Sequence, residues 1–192
     1  MVGEGLDFLH VSWKEVQRLC ELLAKKILES GYKPKIIVAI SRGGFPPARI
    51  LCDLLDIRML ASVGIRYYSS INVTNAEPTI VFPLCVDTRG KKILIVDDVA
   101  DKGQTLTVAK KTILKNKAVC VKVATLHFKL RSILRPDFYA QETEAWVVYP
   151  WETKETAKEL VEKLESEGRN TSFILSELKK LGFNKKTIDD LL

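Results

Sequence analysis

A chain of 192 residues, 46% hydrophobic and 28% charged, can bury one full core with a small appendage and has the composition of an ordinary globular protein. No apolar stretch approaches the roughly 18 residues that a bilayer span needs, and the N-terminus lacks a signal-peptide pattern, so a cytoplasmic protein without membrane contact is expected. The net charge is +6; residues 152–192 hold eight Lys/Arg against nine Asp/Glu, which leaves +7 on residues 1–151 and a basic core suited to a polyanion.

In chain order, residues 12–30 read as a helix. Ser12 and Glu15 form a capping box, Val16, Leu19, Leu23 and Ile27 an apolar stripe, and Gly31 a stop. A strand over 35–40 leads into the loop Ser41-Arg42-Gly43-Gly44 and a helix over 46–55. Residues 58–68 give a strand pattern, 69–78 are polar and turn-rich, and 79–86 form a further strand. After the turn Asp87–Gly90, the apolar run Ile93–Val96 lacks alternation, as a parallel strand buried on both faces does. Strands over 119–126 and 145–148 complete the set. Strands alternating with helices imply an α/β fold, a mostly parallel sheet with helices on both faces.

Beyond Pro150 the pattern turns helical, over 153–167 and 172–181, with Asn184 capping a last short helix. The expected organisation is a core over 1–151 and a small C-terminal helical extension over 152–192. Two short helices around a glycine resemble a helix-turn-helix, but the acidic balance opposes phosphate-backbone contacts. A packing or dimerisation appendage is the better reading, and nucleic acid is not an expected partner. Cys20, Cys52, Cys85 and Cys120 each lie in an apolar segment with no C-x-x-C, so buried free thiols are expected. Two histidines are too few for a histidine metal site.

The chemistry concentrates in residues 92–106, KILIVDDVADKGQTL. The strand ends in Asp97 and Asp98, a short loop carries Gly103, and Thr105 opens an apolar-periodic helix. Free amides at such a helix start attract anions, and the threonine hydroxyl adds a donor. Adjacent carboxylates accept hydrogen bonds from sugar hydroxyls or face a metal. A phosphate at one end and a polyol at the other describe a sugar phosphate. A P-loop NTPase would need G-x-x-x-x-G-K-[ST] upstream, which is absent. A response-regulator receiver would need an Asp closing the later strand, where His127-Phe128-Lys129 stands.

VDDVADKGQT resembles the signature of the type I phosphoribosyltransferases, the loop that binds phosphoribosyl pyrophosphate (PRPP). Asp97, Asp98, Asp101, Gly103 and Thr105 match it; Lys102 replaces the usual Thr or Ser. The resemblance spans roughly residues 36–152 and implies the type I fold with a flexible hood loop. It assigns Asp97 and Asp98 to the ribose hydroxyls, and Asp97, Asp98, Ala100, Asp101, Lys102, Gly103, Gln104 and Thr105 to PRPP and its 5′-phosphate. Asp101 becomes the acid/base at the purine ring nitrogen, making Asp97, Asp98 and Asp101 the catalytic set. Ser41, Arg42, Gly43 and Gly44 match the pyrophosphate loop of purine enzymes, where a cis peptide at Ser41–Arg42 is implied. Tyr67, Tyr68 and Ser69 begin the hood. Lys129 would meet the purine's exocyclic oxygen, Trp146 would stack on the ring and Val147 would meet its edge through the backbone. Leu130 stands where family members carry proline. Mg²⁺ is the implied cofactor, with Asp97, Asp98 and Glu152 as its candidate protein partners. The implied enzyme transfers the phosphoribosyl group to a 6-oxopurine, releasing a nucleoside 5′-monophosphate and pyrophosphate, and works as a homodimer or higher homo-oligomer. Adenine as substrate, or a non-catalytic PRPP-sensing regulator that binds nucleic acid, are the open alternatives.

Overall fold

A computed structural model describes residues 7–67 and 78–191. The elements in order are β1 (Phe8–His10), α1 (Trp13–Glu29), β2 (Ile36–Ser41), α2 (Phe45–Leu54), β3 (Leu60–Tyr67), β4 (Pro78–Phe82) and β5 (Lys92–Ala100). They continue with α3 (Gln104–Lys115), β6 (Cys120–Phe128), β7 (Phe138–Glu142), β8 (Trp146–Val148), α4 (Thr153–Ser166), α5 (Thr171–Lys180) and α6 (Lys185–Asp189). By its contacts the chain divides into residues 16–143 and a second unit of residues 1–15 with 144–192.

The larger unit is built on a six-stranded sheet of order β4-β3-β2-β5-β6-β7. All its pairings are parallel except β3 with β4. Helix α3 sends Leu106, Ala109 and Ile113 into a cluster with Ile36, Val38, Ile40, Ile93 and Ile95. The intervening Ile37, Ala39, Leu94 and Val96 are equally buried, and none belongs to that cluster. Both faces of β2 and β5 are therefore covered, which is why these strands read as continuous apolar runs. In α1 the expected stripe is buried along its length, and the Glu15 amide donates to Ser12 Oγ (3.2 Å). Beyond the helix, Gly31 turns the chain at φ 68°.

The smaller unit pairs β1 with β8 in parallel and covers them with α4, α5 and α6. Val148, Ala157, Val161, Leu164, Ile174, Leu178, Phe183 and Ile188 form its core. Asn184 caps α6 as expected, accepting from the Thr187 amide (2.9 Å), and Asn170 does the same for α5 through the Phe173 amide (2.9 Å).

Several expectations are corrected. The strand expected over 79–86 stops at Phe82, because Pro83 has no amide to donate to the ladder. Strand β1, three residues long, is too short to show a period, and β7 follows a loop rich in charge. The thiols are not uniformly buried. Cys85 lies beyond the end of β4 and is exposed, and Cys120 is half-buried at the first position of β6.

Candidate active site

The strand order reverses direction between β2 and β5, so the loops leaving their carboxyl ends diverge and leave a crevice. Two of the sequence-defined motifs meet there: Ser41–Gly44 leaves β2, and Asp97 to Thr105 leaves β5. The Ser41–Arg42 peptide is cis, as the resemblance implies. A Cβ built on Gly43 would fall inside the Asp98 carboxylate. One built on Gly44 would strike the main-chain oxygens of Val96 and Ile40. Hence the first glycine makes room for a side chain of the acidic pair, and the second lets two backbones pass. Arg42 is exposed, Asp97 half-buried and Asp98 buried. Asp98 Oδ1 accepts the Val99 amide (2.7 Å), and Asp97 Oδ1 accepts that of Asp98 (3.1 Å).

Past Ala100, which is fully buried, the chain turns at Gly103 (φ 78°) into α3. Gly103, at the N-cap, has no side chain with which to cap this helix, and a helix start is the end that favours an anion. Asp97, Val99, Asp101, Lys102, Gly103, Thr105 and Leu106 line a pocket of about 290 Å³ over this end. Lys102 is exposed. Its carbonyl accepts the Ile133 amide (3.1 Å), while Ser132 Oγ and the Leu134 amide occupy the space a Cβ on Gly103 would need. The loop after β6 thus closes one side of the phosphate loop.

Lys129 opens that second loop. Its amide donates to Ala100 O (3.0 Å), its residue is only 4% exposed, and its Nζ lies 3.6 Å from Asp101 Oδ1. Main-chain anchoring replaces the rigidity a proline at position 130 would give, and Leu130 itself is exposed. Arg131 donates to the same Asp101 oxygen through Nε (2.7 Å) and through Nη2. This residue was missed in the sequence. Its only signal is a cation two positions after Lys129, which looks like any surface charge.

Trp146, Val147 and Glu152 belong to the smaller unit. Trp146 begins β8 with 41% of its surface exposed, so it is no core aromatic, whereas Val147 is buried. Glu152 Oε1 accepts the Tyr149 amide (3.3 Å) in the turn before α4. Tyr67 ends β3, while Tyr68 and Ser69 lie outside the described residues. Among the described residues, no three His, Cys, Asp or Glu side chains gather into a metal cage. Two adjacent carboxylates still fit Mg²⁺, which takes one or two protein oxygens and completes its shell with water and substrate phosphates.

The phosphoribosyl transferase domain family matches residues 12–158, which include every piece of this crevice. The chain belongs to the phosphoribosyltransferase family. This phosphoribosyltransferase is 32% identical over 152 residues to a xanthine-guanine phosphoribosyltransferase of Gluconobacter oxydans, covering 78% of the present chain and 88% of that one. The crystal structure of a purine phosphoribosyltransferase from Pyrococcus horikoshii superposes with a TM-score of 0.69 at 36% identity, over 76% of this chain and 94% of its own. A Neisseria gonorrhoeae protein solved with bound ppGpp gives the same TM-score at 32% identity, over 76% and 89% of the two chains. The family match ends inside α4, so α5 and α6 lie beyond it.

Proposed function

We propose that this phosphoribosyltransferase moves the 5-phosphoribosyl group of PRPP onto N9 of a 6-oxopurine, with Mg²⁺, giving a nucleoside 5′-monophosphate and pyrophosphate. The observation that carries this reading is the pocket in which Asp97, Asp101, Lys102, Gly103 and Thr105 converge over the start of α3. The names of the Gluconobacter and Pyrococcus relatives support the purine half.

Departure of pyrophosphate leaves positive charge on the ribose. The main-chain amides of Lys102 to Thr105, with the Thr105 hydroxyl, hold the 5′-phosphate and so fix the sugar. Asp97 and Asp98 accept the ribose hydroxyls and place negative charge beside the developing cation. Arg42 and the amides of the Gly43–Gly44 turn receive the pyrophosphate. Asp97 and Asp98 would hold Mg²⁺, which would supply Lewis-acid stabilisation of the departing pyrophosphate. Asp101 takes or holds the proton at the purine ring nitrogen.

Lys129 selects the base. An ammonium only donates, so it complements a carbonyl oxygen at position 6 and opposes an amino group there. We place the enzyme in the cytoplasm as a homo-oligomer. The test assays guanine, hypoxanthine, xanthine and adenine in parallel with PRPP and Mg²⁺. Turnover with 6-oxopurines but not adenine is expected; turnover with adenine alone, or with no base, overturns the reading.

A further inference from the structure

We infer that Arg131 is a positioning residue, which grips Asp101 by one carboxylate oxygen and so releases Lys129 to the purine. This rests on the purine-transfer reading above.

Lys129 and Arg131 share one carboxylate but differ in their surroundings. The Lys129 side chain is 5% exposed and that of Arg131 52%. A buried ammonium needs an acceptor, since desolvating it without one is costly. Asp101 Oδ1 is 3.6 Å from that ammonium. If Lys129 turns to an exocyclic purine oxygen, Asp101 loses that counter-charge just when its carboxylate faces the ring nitrogen. A second cation offsets the loss. Arg131 supplies it, and its guanidinium holds a rigid fork geometry that suits a carboxylate. Both of its hydrogen bonds fall on Oδ1. Oδ2 is therefore the oxygen presented to the purine, and rotation of the carboxylate about its Cβ–Cγ bond is restrained.

The loop that carries Arg131 does not depend on this ion pair. It is fastened to the phosphate loop by main-chain bonds, Lys129 N to Ala100 O (3.0 Å) and Ile133 N to Lys102 O (3.1 Å). Removing the guanidinium thus removes a charge and a grip while the loop keeps its place.

The experiment compares R131Q, R131K, D101N and D101N/R131Q with the wild type, under saturating PRPP and varied guanine. R131Q should lower kcat about tenfold and raise the purine KM, with the PRPP KM unchanged within about twofold, and R131K should recover part of the loss. The double variant should match D101N alone, because Arg131 acts only through Asp101. Wild-type kinetics in R131Q, a loss in R131K as large as in R131Q, or a double variant whose loss is the product of the single losses overturns the assignment while wild-type transfer stands. An absence of transfer by the wild type on every purine overturns the reading itself, and this inference with it.

Discussion

Gly43 and Asp98 share a space that can hold only one side chain: a Cβ on the glycine would lie inside the aspartate carboxylate. The loop leaving β2 and the acidic pair ending β5 are thereby fitted to each other, although 55 positions separate the two residues.

Gly43→Ala should consequently act on chemistry more than on folding. The carboxylate can swing aside, so the unfolding midpoint moves little, while transfer falls by at least about tenfold because Asp98 has left its place. Gly44→Ala gives the opposite pattern. Its Cβ meets the Val96 and Ile40 carbonyls, which cannot move alone, so overpacking should cost about 1–3 kcal/mol of stability. Urea unfolding beside steady-state kinetics separates the two; equal stability losses in both would contradict the argument.

Asp101→Asn should reduce turnover by about 10²-fold or more, with PRPP affinity nearly intact, since an amide cannot take up the proton. PRPP binding measured by calorimetry, alongside turnover, checks both halves. Wild-type turnover in this variant would remove Asp101 from the chemistry.

Lys129→Ala should weaken use of 6-oxopurines selectively. Any residual activity with adenine should be unchanged or improved, because the lost ammonium opposes an amino group. Competition between guanine and adenine in one assay reads the ratio directly, and an equal loss for both bases would show that the base contact lies elsewhere.

The thiols should divide by position. Burial, with a lesser contribution from Glu21, pushes the Cys20 thiol up to about 12, and burial raises Cys52 too, so both stay protonated at pH 8. Cys85 is exposed. A maleimide or disulfide reagent should modify Cys85 rapidly in the native protein, and Cys20 and Cys52 only after unfolding. Peptide mapping of the labelled protein gives the order, and early labelling of Cys20 would refute it.

Asn184→Ala should remove the cap on α6 and cost about 1 kcal/mol. Thermal unfolding monitored by circular dichroism measures it; Asn184→Asp, which keeps the acceptor, should restore most of the loss.

Much of this molecule is readable before any coordinates. Ile93–Val96 announces its two-sided burial by lacking polar residues, and Ser12 with Glu15 and Asn184 announce helix starts through local side-chain chemistry. What stays hidden depends on distant partners. Strand β1 exists because Phe8 to His10 pair with Trp146 to Val148, which no local pattern encodes. Arg131 becomes more than a surface charge only because the fold lays Asp101 under it. Glu152, read as a metal neighbour, spends one carboxylate oxygen on the Tyr149 amide, an engagement set by turn geometry.

In the smaller unit, Phe8 and Leu191 pack against a single core, and the ring of His10 meets Leu181 O at 2.7 Å across 171 positions of sequence. During synthesis the opening strand leaves the ribosome long before any of these companions has been made. The doubly wound sheet, whose pairings are mostly between nearer segments, can assemble first, and strand β1 must wait for residues 146–191 to be made. Chaperone dependence should therefore concentrate in residues 7–11, remote in sequence from every group that handles the sugar.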